Sequence, residues 1–225
     1  MPHASPDFTP ESSPQVAIAI MAKAPIPGLA KTRLIPHLGA DGAAALQCWL
    51  LERAVNTALA AGLGPVTLWC TPDIRHPVFL ALAESGAIEL RQQPDGDLGE
   101  RMLQAISVSA TEAGCLVIGT DCPLLSPADL RGAANALLDN NAVVAPAEDG
   151  GYVLIGLRQA TRRVFQDIDW STDQVMAQTR QRLTEAAYTW HEISSFWDVD
   201  RSTDFERLLP LFPELADCIR PVVIA

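Results

Sequence analysis

The sequence predicts an α/β fold: a three-layer αβα sandwich around a mostly parallel, mixed sheet. Two patterns predict it. Short, wholly apolar runs such as VAIAIMA (Val16–Ala22) and CLVIGT (Cys115–Thr120) have the character of strands buried on both faces, as in a sheet covered by helices. Segments of helical periodicity alternate with these runs over most of the chain, the order that parallel strands require. With 225 residues and 48% hydrophobic content, the chain is expected to form one domain over 16–225 behind a Pro/Ser-rich flexible tail, 1–15.

The elements follow in order. After the strand Val16–Ala22, helical periodicity runs over Asp41–Ala61 and is ended by Gly62 and Gly64. VTLWCT (Val66–Thr71) reads as a strand, Pro77–Glu84 as a helix, and AIELRQQ (Ala87–Gln93) as a strand. A helix over Leu98–Ala113 leads into the strand Cys115–Thr120. Ser126, Pro127 and Asp129 supply a capping serine, a proline at the first helical position and an acid at the third, so they should open a helix to Asp139. AVVAPA and GYVLIGL are strands; the latter is too short and too glycine-bounded for a helix. Thr172–Leu183 is helical, YTWHEI a strand, and Ser202 is expected to cap a last helix through Leu209.

Composition narrows the function. A net charge of −11 gives no overall positive field, which argues against nucleic acid as a partner. An anionic ligand then needs a local cationic site. The five cysteines are odd in number, widely spaced and without C-x-x-C, which fits reduced thiols in a cytoplasmic protein better than disulfides or a zinc knuckle. No apolar run is long enough for a membrane span, and the N-terminal stretch lacks the order of a signal peptide.

Open α/β sheets bind ligands beyond the carboxyl ends of their strands, so the polar clusters directly after strands carry the functional expectation. The first is MAKAPIPGLAKTRL. Lys23 and Lys31 are the only lysines in the chain; with Arg33, Thr32 and the flexible Gly28 they make a candidate phosphate-binding loop, against the plainer reading of a solvated turn. It is not a P-loop, because Pro25 and Ala30 stand where glycines belong, and G-x-G-x-x-G is absent. The second cluster is QPDGDLGERM, where Gly96 and Gly99 permit backbone approach ahead of a helix N-terminus; a common Asp-Gly turn explains it equally well. In the third, VIGTDCPLL, Asp121 is held at the sheet rim, and a carboxylate there suits Mg²⁺ or Mn²⁺. The fourth is spread over AEDGGYVLIGL and FWDVDRSTDF. Asp149-Gly150-Gly151 is either a hairpin turn or a substrate contact. Asp198 and Asp200 share one side of an extended segment, one as a second metal ligand and the other as a helix cap. The four histidines show no motif spacing, and His191 reads as packing within a strand.

KAPIPGLAKTRL, GDLGERM, GTDCPLL, EDGGYVLIGL, WST and DVDRSTDF, in this order between Val16 and Leu209, resemble the DUF2064 family of bacterial glycosyltransferase-like proteins. The resemblance implies the nucleotide-diphospho-sugar transferase (GT-A, Rossmann-like) fold, with molybdenum-cofactor and 2-phospholactate guanylyltransferases as more distant kin. It implies that Lys23, Lys31 and Arg33 hold a nucleotide diphosphate and that Gly96–Gly99 lines the base and ribose. Asp121 would stand for the metal-binding acid of the D-x-D region. Pro123 occupies the place of the second acid, so Asp198 or Asp200 has to complete the metal site.

The expected partners are therefore a nucleotide or nucleotide-sugar and a small-molecule acceptor. The leading expectation is sugar transfer to an acceptor, with cations and a divalent ion stabilising the diphosphate leaving group and Asp149 as acceptor contact or base. The close rival is nucleotidyl transfer, in which a phosphorylated small molecule attacks an NTP and pyrophosphate leaves. A non-catalytic nucleotide-binding protein is the third reading, and it does not call for so many carboxylates.

Overall fold

Alternation along the first strand sorts the molecule into layers. In the computed structural model, which describes residues 15–84 and 86–219, β1 spans Ala17–Lys23. Its Ile18, Ile20 and Ala22 enter one apolar cluster, and Ala17 and Ala19 the other, on the opposite face of the sheet. The expected tail lies outside the described residues except for Gln15.

The remaining strands are β2 Val66–Thr71, β3 Glu89–Gln92, β4 Cys115–Ile118, β5 Ala142–Pro146, β6 Tyr152–Leu157 and β7 Trp190–Glu192. The helices are α1 Ile35–Ala61, α2 Pro77–Ala83, α3 Leu98–Ser109, α4 Pro127–Asp139, α5 Val175–Glu185, α6 Ser202–Leu208 and α7 Leu215–Cys218. The sheet order is β3-β2-β1-β4-β6-β5-β7. Every pairing is parallel except those of β6, which runs antiparallel to β4 and to β5, its hairpin partner. This is the expected three-layer, mostly parallel mixed sheet. Leu51 and Val55 of α1, Leu130 and Leu137 of α4 and Phe79 of α2 cover one face. Met102, Ala105 and Ile106 of α3 with Met176 and Leu183 of α5 cover the other. A third cluster joins the start of α1 to α6 through Leu34, Leu46, Val199 and Phe205.

Several boundaries differ from the sequence reading, each for a local reason. Helix α1 starts at Ile35 because Pro36 is tolerated in a first turn; the chain then breaks at Gly39 (φ 71°, ψ 169°), which hid the extra turn from periodicity. Helix α3 ends at Ser109, since Thr111 and Gly114 exchange backbone hydrogen bonds in a tight turn with Gly114 at φ 106°. Helix α5 starts only at Val175: the Thr172 hydroxyl donates to the Asp169 carbonyl and accepts from the Gln174 amide, holding a turn in place of helix. Ser202 is the first residue of α6 and not its cap; the Asp204 carboxylate reaches back to the amides of Asp200 and Arg201. His191 is exposed on the edge strand β7, not packed. Helix α4 has the expected cap, with Ser126 and Asp129 in a reciprocal capping box.

Candidate functional site at the sheet rim

The chain proceeds from β1 outward to β2 and β3, then crosses back to place β4 on the other side of β1. The crevice beyond the carboxyl ends of β1 and β4 is thus the switch point of the sheet, where two loops diverge and leave space for a ligand. The loop after β1 is the lysine loop; the loop after β4 carries Asp121.

The lysine loop exposes most of its polar groups. Lys23, Gly28, Thr32 and Arg33 face solvent, while Ala30 and Leu34 are fully buried and anchor the loop. Gly28 turns the loop at φ 82°, with open space where a side chain would stand. Lys31 is different. Its backbone is left-handed (φ 45°, ψ 47°) and its side chain is only 4% exposed. Its Nζ lies 2.8 Å from Asp121 Oδ1 and donates to the Val199 carbonyl at 2.7 Å. The Val199 amide donates to the Asp121 carbonyl at 2.8 Å, closing a ring through the loop after β1, the loop after β4 and the segment before α6.

A buried amide extends this ring. Gln47 of α1 donates to Thr120 Oγ1 at 3.2 Å, and Thr120 Oγ1 donates to Asp121 Oδ1 at 3.1 Å. Asp121 is therefore held by a side chain on each side while 46% of its own side chain stays open to solvent. Val199 packs into the α1–α6 cluster, which turns its neighbours Asp198 and Asp200 away from that core. Asp200 pairs with Arg33, and that short ion pair ties the lysine loop to the same segment a second time.

Asp198 is half-buried, and its carboxyl is pushed up to about 6 by burial first, then by the charges of Asp149 and Asp121, with Lys31 opposing. Two carboxylates and a single inner ammonium thus act on Asp198. Among the described residues, no three His, Cys, Asp or Glu side chains close into a ready-made metal cage. The donor set is instead an open one of hard oxygens with uncompensated negative charge, a set that a Mg²⁺ or Mn²⁺ ion sharing phosphate and water ligands fits.

Asp149-Gly150-Gly151 is the turn of the β5–β6 hairpin. Ala147 receives the Gly150 amide at 3.2 Å and donates to the Gly151 carbonyl at 3.0 Å, while Asp149 Oδ1 accepts from the Gly151 amide at 2.9 Å. The same turn brings Asp149 to bear on Asp198. Glu148 clips the two segments together: its amide donates to the Phe196 carbonyl at 2.9 Å, and its carboxylate takes two bonds from Arg207, which stacks 4.3 Å over Trp197.

The second sequence cluster divides. Gly96 is exposed at φ 115°, and a side chain there would collide with Glu100 Oε2 at 2.2 Å. Its smallness lets Glu100 fold back onto the Asp97 amide in the capping box that opens α3. Gly99 is buried, with Trp170 Cζ2 only 2.6 Å from where its Cβ would be; it serves helix packing and not a ligand-facing surface. Gln93 ties this loop to the strand ends, donating to the Trp69 carbonyl at 2.8 Å and the Ala22 carbonyl at 3.1 Å.

The structure therefore brings together Lys31, Arg33, Asp121, Asp149, Asp198 and Asp200, and leaves Gly99 outside. Sequence reading missed Gln47, the Val199 peptide and the Glu148–Arg207–Trp197 clip. Only Gln47 left a trace: it is polar at the spacing of Ala43, Ala44, Leu50 and Leu51, the buried stripe of α1.

A family model described as "uncharacterized protein conserved in bacteria" (DUF2064) matches residues 54–172. A candidate nucleotide-diphospho-sugar transferase of Desulfovibrio desulfuricans G20 shares the fold with 26% identity and a TM-score of 0.74, over 90% of this chain and 97% of that one. The 4-diphosphocytidyl-2C-methyl-D-erythritol synthase of Anaerococcus prevotii DSM 20548 is similar at 13% identity and TM-score 0.59, over 88% and 96%. The protein Rv0371c of Mycobacterium tuberculosis H37Rv in complex with manganese is similar at 18% identity and TM-score 0.51, over 87% and 99%. The chain matches no curated protein. The fold is that of the nucleotide-diphospho-sugar transferases and cytidylyltransferases.

Proposed function

The chain belongs to the DUF2064 family, and from that premise we propose that it is a nucleotide-dependent transferase moving a sugar from a nucleotide-diphospho-sugar to a hydroxyl acceptor. The observation that carries this reading is the convergence, at the switch point, of the lysine loop with the three carboxylates of Asp121, Asp149 and Asp198. A likeness to one candidate sugar transferase and to a manganese-bound protein supports it.

In this reading Lys23 and Arg33, both exposed at the mouth of the crevice, attract and orient the diphosphate of the donor. Asp121 and Asp198 would hold a divalent ion, which supplies charge stabilisation to the diphosphate leaving group. Asp149 takes the acceptor hydroxyl's proton as the new glycosidic bond forms, and the nucleoside diphosphate departs. Gly151, whose would-be Cβ lies 3.2 Å from Asp149 Oδ1, keeps that side of the carboxylate free of a side chain.

Nucleotidyl transfer remains the second reading, because the paired acids Asp121 and Asp198 suit a metal-bridged α-phosphate and because the fold is shared with a 4-diphosphocytidyl-2C-methyl-D-erythritol synthase. One experiment separates the readings. The purified protein is incubated with NTPs and nucleotide-sugars, with Mg²⁺ or Mn²⁺, and with cell extract as acceptor source. Nucleoside diphosphate release supports sugar transfer, and pyrophosphate release supports the rival. Saturable binding without turnover rejects both.

A further inference from the structure

Two lysines share one loop, but their surroundings differ so much that one role does not suit both. Lys23 is exposed at the end of β1 and has no ion pair among the described residues. Lys31 turns inward on a left-handed backbone that non-glycine residues seldom adopt, and such conformations persist where surrounding contacts over-determine them. An ammonium has three hydrogens to donate. Two of those of Lys31 go to Asp121 Oδ1 and the Val199 carbonyl, and only 4% of its side chain is exposed, so Nζ is committed first to the protein's own oxygens.

We infer that Lys31 is a positioning residue and not a phosphate ligand: it clasps the loop after β1 to Asp121 and to the Asp198–Asp200 segment, leaving the anion to Lys23 and Arg33. The inference rests on the diphosphate reading only for the identity of that anion. The clasp itself follows from the closed ring, in which Val199 donates its amide to the Asp121 carbonyl and offers its own carbonyl to Lys31. Residue 199 is thereby fixed at both of its backbone polar groups, and the carboxylates of residues 198 and 200 are set on the outward side. Lys31 acts on chemistry through Asp121 and Asp198.

Because the chain has only two lysines, the wild-type protein reports on each separately. Reductive dimethylation followed by peptide mass spectrometry should label Lys23 at least tenfold faster than Lys31. Inorganic pyrophosphate with Mg²⁺ should slow Lys23 and leave Lys31 unchanged. Equal labelling of the two without ligand, or selective protection of Lys31 by pyrophosphate, overturns the inference. In Lys31→Met, amide exchange in peptides spanning 119–122 and 197–201 should rise at least tenfold while β2 and β3 stay as in wild type; unchanged exchange at 197–201 also overturns it. In the turnover assay the same variant should lose kcat tenfold or more at a donor KM within threefold of wild type, and a raised KM with intact kcat points to direct phosphate binding instead. If pyrophosphate alters neither lysine, the diphosphate reading fails, while the ligand-free labelling rates and the exchange data still decide the clasp.

Discussion

The hairpin turn that presents Asp149 is held by a contact with no room for a methyl group, and Gly150→Ala tests it. Gly150 has φ 90°, and a Cβ built there would stand 2.2 Å from the Asp173 carbonyl oxygen and 2.7 Å from the Asp173 carbonyl carbon. The Gly150 carbonyl also accepts the Met176 amide at 2.8 Å, at the start of α5. Three costs combine. The left-handed backbone costs an alanine about 1 kcal/mol. Pushing two backbone segments apart by about 1 Å costs about 1–3 kcal/mol, the range for overpacked sites. Loss of the Met176 bond adds about 1 kcal/mol. The total expected is about 3–5 kcal/mol. Gly28→Ala is the matched control, because Gly28 has a similar φ of 82° and nothing within 4 Å of its would-be Cβ. It should lose only about 1 kcal/mol. Urea unfolding followed by tryptophan fluorescence measures both, and thermal midpoints should fall roughly 6–20 °C for Gly150→Ala against about 2–4 °C for the control. Equal losses in the two variants would refute the close seating of the Asp149 turn against the 169–174 segment.

Three further expectations follow from the site. Asp198 has a folded-state pKa of about 6 against an ordinary 3.8, so the folded state holds the extra proton between these values and its stability falls as pH rises through them. Asp198→Asn should therefore be more stable than wild type at pH 7.5, by about 1–2 kcal/mol after allowance for water's access to the group, with the difference gone near pH 4; a pH-independent difference contradicts this. Gln47→Leu removes the donor to Thr120 Oγ1 from a buried position and should cost about 1–2 kcal/mol in urea unfolding; a stabilised variant would show that the amide does not brace the loop after β4. Burial holds the Cys70 and Cys115 thiols up at about 12, and burial first among other causes holds Cys48 and Cys122 at about 11. These four should react with a disulfide reagent at pH 8 at least 100-fold more slowly than in urea, on the order set by their thiolate fraction, and peptide mapping that finds one of them reacting fast in the native protein would count against its described surroundings.

The motifs resolved unequally in the tertiary structure. Asp121 was legible because an acid after a buried strand can only stand at the sheet rim, whatever the rest of the chain does. Gly62 was legible as the end of α1, where it closes the helix with φ 64°. Gly99 misled because a glycine at a helix start looks the same whether it admits a ligand or the ring of Trp170, about seventy residues further on. The pairing of Asp200 with Arg33, across 167 positions of sequence, left no local signal.

The sequence by itself determined the layers, the order of most elements and the end of the sheet at which to look, since burial on one or two faces leaves a local period in the residues. It also placed both lysines in one loop. Tertiary structure alone decided what each does: Lys23 opens to solvent, while Lys31 is closed over by Asp121 and Val199, 90 and 168 positions away. Such contacts depend on which segments the sheet brings side by side, and no local pattern of hydrophobic or polar residues records that choice.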